Sequence, residues 1–114
     1  MVDKPLVWLG SSLARVRGFP EEARAAAGFQ LRRLQSGLTP NDWKSISSAG
    51  PGACEIRIRT ALEHRILYVA KFAEAIYVLH AFEKKTKRTP LSDIELARRR
   101  YDDLVRRRAL RKES

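Results

Sequence analysis

The chain has 114 residues, 44% of them hydrophobic, which suffices for one domain with one core and leaves no length for a second. Lysine and arginine number 23 against 13 acidic residues, a formal net charge of +10, so the partners to expect are polyanions: nucleic acid, an acidic protein or an anionic surface. The lone Cys54 excludes an internal disulfide, and with only His64 and His80 beside it an ordinary structural zinc site is excluded too.

In chain order, the apolar run LVWL after Pro5, closed by Gly10, reads as a short opening strand. Ser11 or Ser12 caps a short helix carrying Leu13 and Val16, which Gly18 ends. Pro20 suits the first position of a second helix, with Glu21 and Glu22 in its first turn and Ala23, Ala27, Leu31 and Leu34 as its apolar stripe. Gly37 stops it. Residues 38–52 turn to Ser, Gly, Pro and Asn and read as a connection pinned to the core by Trp43 and Ile46. Within it Gly50-Pro51-Gly52 is a turn, because the lysine and hydroxyl residue of a phosphate loop are missing.

Three blocks rich in β-branched and aromatic residues follow, 54–60, 64–72 and 75–82, and predict a three-stranded antiparallel meander. The first alternates strictly, with Cys54, Ile56 and Ile58 on one face and Glu55, Arg57 and Arg59 on the other. The third is apolar on both faces, as in a central strand or one covered by helix and loop. Ser92-Asp93-Ile94-Glu95 has the form of a capping box opening a last helix. That helix is expected to bury Ile94, Ala97, Tyr101, Leu104 and Val105 and to leave residues 98–100 and 106–108, all arginines, on a solvated face supported by a Glu95–Arg99 pair. The fold class is therefore α+β: a small antiparallel sheet with an N-terminal strand, two N-terminal helices and a C-terminal helix. Residues 1–110 form a single domain and 111–114 a basic tail that frays. No apolar run approaches the roughly 18–20 residues of a membrane span, and MVDKPLVWLG lacks the layout of a signal peptide. A cytoplasmic protein with no membrane partner is the expectation.

The most informative stretch is AIYVLHAFEKKTKRTP, residues 75–90, where an apolar strand ends abruptly in Lys84, Lys85, Lys87 and Arg88. Several cations delivered to one edge of a small domain make a rim for a polyanion. If the first hairpin keeps its alternation, Arg57 and Arg59 share a face with Arg65, with Lys71 further along. Guanidinium forks match phosphate oxygens bidentately, so single-stranded RNA fits, and Tyr68 or Phe82 would stack on a splayed base. His80 alternates with Val78 and Phe82 and is read as a packed, hydrogen-bonded side chain ahead of a proton-transfer group. Cys54 is read as a small buried apolar residue.

The segments CEIRI (54–58), HRILYVAKF (64–72), IYVLHAFEKKTKRTP (76–90) and DIELARRRYDDL (93–104) resemble the phage-derived Gp49-like branch of the RelE/HigB toxin family. The likeness spans roughly residues 6–106, with LHAFEKKTKRTP its most specific part. It implies a RelE-like fold and a type II toxin that cuts mRNA on the ribosome with the RNA's own 2′-OH as nucleophile, needing no metal and no cofactor. On that likeness Arg57 and Arg65 stabilise transition-state charge, and Lys84 or Lys85 moves a proton. Arg59, Tyr68, Lys71, His80, Phe82, Lys87 and Arg88 would bind RNA. The implied partners are mRNA on the ribosome and a helix-turn-helix antitoxin of the HigA/Xre type that covers the cationic face. The C-terminal ALRKES departs from relatives that carry a catalytic aromatic or acidic residue there. A ParE-like gyrase poison on the same fold, and an inactive prophage protein that binds nucleic acid or antitoxin, are the rival readings.

Overall fold

The alternation in the three β-rich blocks becomes a sheet covered on both faces. The computed structural model describes residues 3–113. Its elements are β1 (Leu6–Trp8), α1 (Ser12–Arg17), α2 (Glu21–Gln35), β2 (Trp43–Ser45), a 3-10 turn (Ser47–Ala49), β3 (Ala53–Arg59), β4 (Glu63–Val69), β5 (Ile76–Glu83) and α3 (Leu91–Glu113). The sheet order is β1-β5-β4-β3-β2. The meander β3-β4-β5 is antiparallel, as expected, and of the two readings that its apolar faces allowed β5 takes the interior one, between β1 and β4. On one face Val16, Phe19 and the α2 stripe Ala23, Ala27, Leu31 and Leu34 pack on Ile56, Ile58, Ile66, Tyr68, Ile76 and Val78. On the other, Ala97, Tyr101 and Leu104 of α3 pack on Leu67, Val69, Tyr77, Leu79 and Phe82.

Several local expectations need correction. Strand β1 pairs in parallel with β5, so the sheet is mixed rather than wholly antiparallel. Residues 38–52 hold an edge strand, β2, in register with β3 through Trp43↔Ile56, Lys44↔Glu55 and Ser45↔Cys54. Three residues carry no readable period, and the strand exists because β3 offers a free edge. Ile46 is buried as expected, but Trp43 is 42% exposed and belongs to neither core cluster. Pro20 lies just before α2 rather than at its first position. The capping box does not form: α3 starts a residue before Ser92, and the Pro90 carbonyl accepts the N–H groups of Asp93 and Ile94. Residues 111–113, expected to fray, continue α3, and Ser114 lies outside the described residues.

Helix α3 is held to the sheet by polar clamps as much as by its apolar stripe, which excludes Val105, 41% exposed. The Tyr101 hydroxyl donates to the Pro51 carbonyl at 2.6 Å. Its ring lies over Gly50, whose φ of +137° and the 2.6 Å from a would-be Cβ to the ring admit only glycine. Arg100 donates to the Leu79 carbonyl at 2.8 Å, and Arg108 forks onto Glu74 at 2.6 and 3.1 Å with its guanidinium 3.8 Å from the centre of the Phe72 ring. That fork, more than the added bond from Tyr77, holds the Glu74 carboxyl down to about 2. The helix arginines are therefore not one solvated face, and the exposed pairing is Arg98–Asp102 and Arg107–Asp103 rather than Glu95–Arg99.

Two buried histidines set the acid response. Burial pushes both His64 and His80 below the ordinary histidine value, against the opposing charges of Glu83 and Asp93 respectively. With the folded value below the unfolded one, the unfolded chain binds protons first as pH falls through about 6.5. Their contribution is complete above that pH and is lost as pH falls towards the folded values. Urea midpoints measured between pH 7.5 and 5.5 are expected to fall, and a His64→Gln, His80→Gln double variant to show a flatter profile. A wild-type midpoint that rises on acidification contradicts this.

Candidate nucleic-acid interface

The β3–β4 register sets Arg57 directly opposite Arg65 and Arg59 opposite Glu63. The Lys84 N–H donates to the Glu63 carbonyl at 2.8 Å, extending the sheet one residue past β5. The turn that follows thus brings Lys85 and Lys87 to the start of β4. Together these elements enclose a cavity of about 550 Å³ lined by Lys44, Arg57, Arg59, Glu63, Arg65, Lys84, Lys85, Thr86 and Lys87, seven cations against one carboxylate.

Such a concentration of like charge is unfavourable unless carboxylates offset it; Asp42 and Glu83 stand near Arg59 and Lys85 at 3.6 and 4.0 Å, and Glu55 and Glu63 make the closer contacts. Glu55, fully buried, accepts from Arg65 Nε at 2.9 Å with one oxygen and from Thr89 Oγ1 at 2.7 Å with the other. Glu63 accepts from Arg65 Nη2 at 3.2 Å and lies 3.7 Å from Arg59 Nε and 3.9 Å from Lys84 Nζ. Arg65 is consequently a fixed charge in the floor. Lys84 Nζ donates to the Lys87 carbonyl at 2.7 Å, which shapes the turn. Lys85 is open to solvent, its side chain 79% exposed, whereas Arg57 is 27% exposed, with Asp42 3.8 Å away and a buried Nε that makes no hydrogen bond. Their carboxylate neighbours, Asp42 and Glu83, stand at 3.8 and 4.0 Å, beyond hydrogen-bond distance, so a polyanion entering the cavity meets these two without breaking such a bond.

Of the residues singled out in the sequence, the structure brings together Arg57, Arg59, Arg65, Lys84, Lys85 and Lys87. Arg88 is on the same turn, its carbonyl accepting from Thr86 Oγ1 at 2.6 Å, but does not line the cavity. Tyr68 is buried on the opposite sheet face, in the core with α1 and α2. Lys71 lies beyond the far end of β4, 5.3 Å from the centre of the Phe72 ring. Between Val78 and His80 a β-bulge breaks the alternation, so Tyr68 pairs with Val78 while Leu67 pairs with His80. His80 and Phe82 therefore face α3, buried and stacked with centroids 5.2 Å apart, and His80 Nε2 is 2.7 Å from Asp93 Oδ1. Burial pushes the Cys54 thiol up, consistent with a packing role.

Lys44, Glu63 and Thr86 also line the cavity and were not singled out in the sequence. Glu63 was legible, since extending the alternation of β4 one step back from Arg65 reaches it on the same face. Lys44 was not, because its strand was not.

The family model for phage-derived Gp49-like proteins matches residues 14–102, a span that includes every residue lining the cavity. No curated protein matches the chain. Among the described residues no helix is long and apolar enough to cross a membrane. An α+β chain with a five-stranded twisted sheet, a C-terminal helix and this match over most of its length belongs to the phage-derived Gp49-like family, a HigB/RelE-like toxin family associated with toxin–antitoxin systems.

Proposed function

We propose that this chain is the toxin of a type II pair and acts as a metal-independent endoribonuclease on ribosome-bound mRNA in the cytoplasm. The observation that carries the reading is the cavity with seven cations and one carboxylate. Cleavage at a phosphodiester by its own 2′-OH forms the O2′–P bond and breaks the P–O5′ bond. Three things are then needed: an acceptor for the 2′ proton, stabilisation of the phosphorane's negative charge, and a proton for the departing 5′ oxygen.

Glu63, the one carboxylate lining the cavity, is the proton acceptor in this reading. Arg57 donates to the non-bridging phosphate oxygens, with Arg65 adding fixed positive charge from below. Lys85, open to solvent, supplies the proton to the 5′ oxygen, while Lys84 holds the turn in place. Lys44, Arg59, Lys87 and Arg88 track the flanking phosphates. Preorganised charge above the buried Arg65–Glu55 pair does most of the work, since it need not reorganise as charge develops.

The chemistry is tested by the ends it leaves. Purified chain added to ribosomes programmed with a defined mRNA is expected to give 2′,3′-cyclic phosphate and 5′-hydroxyl termini. Termini with 5′-phosphate and 3′-hydroxyl groups would mean attack by water and would overturn the proposal. Glu63→Gln is expected to slow cleavage by roughly 10²-fold or more.

A further inference from the structure

We propose that the groove between β1 and the C-terminal half of α3 receives an acidic segment of the antitoxin, anchored by an apolar side chain; the identity of this partner rests on the toxin reading above. The groove encloses about 240 Å³, and Val7, Leu9, Tyr77 and Leu104 supply its apolar floor. Arg100, Arg107 and Arg108 stand along it, with Asp103 its one acidic residue. Arg107 is two-thirds exposed and meets Asp103 at 2.9 Å.

Three independent features point to one occupant. The floor is aliphatic but for Tyr77, which is 4% exposed, so it suits an apolar side chain of a protein segment and offers no open ring on which a base of single-stranded RNA could stack. The arginines select acidic residues beside the anchor. Among the described residues strand β1 is an edge strand, paired to β5 alone, so an extended segment can add to it through backbone hydrogen bonds and set its side chains into the groove. Val7, in the middle of that edge and 37% exposed, is where the two meet.

The cationic cavity offers a protein no comparable hold, because its lining is entirely charged or polar. It also lies across the sheet, with β5 and β4 between β1 and the strand that carries Arg57. Docking and neutralisation are therefore separable: the segment in the groove gives affinity, and any blocking of the cavity comes from another part of the same partner.

The test uses the full chain with the protein encoded beside it as the probe. Amide exchange is expected to slow at residues 6–8 and 100–108 in the complex, and Val7→Asp and Arg107→Glu each to weaken binding at least tenfold. Both substitutions are at exposed positions outside the cavity, so circular dichroism and growth inhibition are expected to match the wild type. Protection confined to residues 57–65 and 84–88, binding within twofold of wild type in both variants, or no binding by the neighbouring protein overturns the proposal. So does an oligouridine RNA whose affinity drops as much with Arg107→Glu as with Arg57→Ala, which would make the groove a nucleic-acid track. Failure of the ribonuclease reading leaves the exchange and affinity results standing, since neither depends on cleavage.

Discussion

Replacing Glu55 with alanine is expected to cost about 3 kcal/mol of stability. The cause is the charge left behind. Arg65 is buried beneath the cavity with its Nε on Glu55 at 2.9 Å, and the Glu55 carboxylate also ties down Thr89 at 2.7 Å. Without it the guanidinium keeps Glu63 at 3.2 Å and little else to balance it against Arg57 opposite. A domain of this size should then melt roughly 10 °C lower. Glu55→Gln, which keeps the shape and one acceptor, is expected to lose less. Thermal unfolding of both variants decides the matter: an alanine variant that melts with the wild type would mean that the pair is not what holds Arg65.

Arg57→Ala is expected to do the reverse, leaving stability nearly intact and cutting the cleavage rate by roughly 10²–10³-fold. Its partner Asp42 is 3.8 Å away and 42% exposed, so the lost ion pair is worth under about 1 kcal/mol. If Arg57 meets the phosphorane, the loss falls on kcat more than on KM, because the charge it stabilises develops only in the transition state. Arg57→Lys should recover little, since a lysine presents one charge and no fork. Cleavage by Arg57→Ala at the wild-type rate would remove Arg57 from the chemistry and leave it as an electrostatic guide.

Most of the cationic site was readable from residues 54–88, and the reason is periodicity. A strand of strict alternation fixes which face each residue occupies, and a one-residue slip of β3 against β4 would turn Glu55 and Arg57 away from Arg65 and into the core under α1 and α2. The three blocks and the two N-terminal helices followed from the same patterning.

What escaped depends on features with no local signature. Strand β2 has three residues and exists through its pairing, so Lys44 could not be assigned to the site. The bulge at Leu79 inserts one residue and reverses the facing of His80 and Phe82 relative to Val78, which alternation alone cannot foresee. Asp93 was read as part of a cap but serves as the partner of His80, because Pro90 starts the helix a residue early. Arg100 and Arg108, read as solvated, are bound to Leu79 and Glu74 from the other face of α3. Each of these is a tertiary contact overriding a sound local preference.

The most direct test of a translation-coupled ribonuclease is to map mRNA 5′ ends in cells during induced expression of the wild type and of an Arg57→Ala, Lys85→Ala double variant. New ends within reading frames in the wild type, absent from the variant, are the expected result. Growth arrest with no new ends, accompanied by loss of gyrase supercoiling activity, would contradict it and assign the toxicity to gyrase.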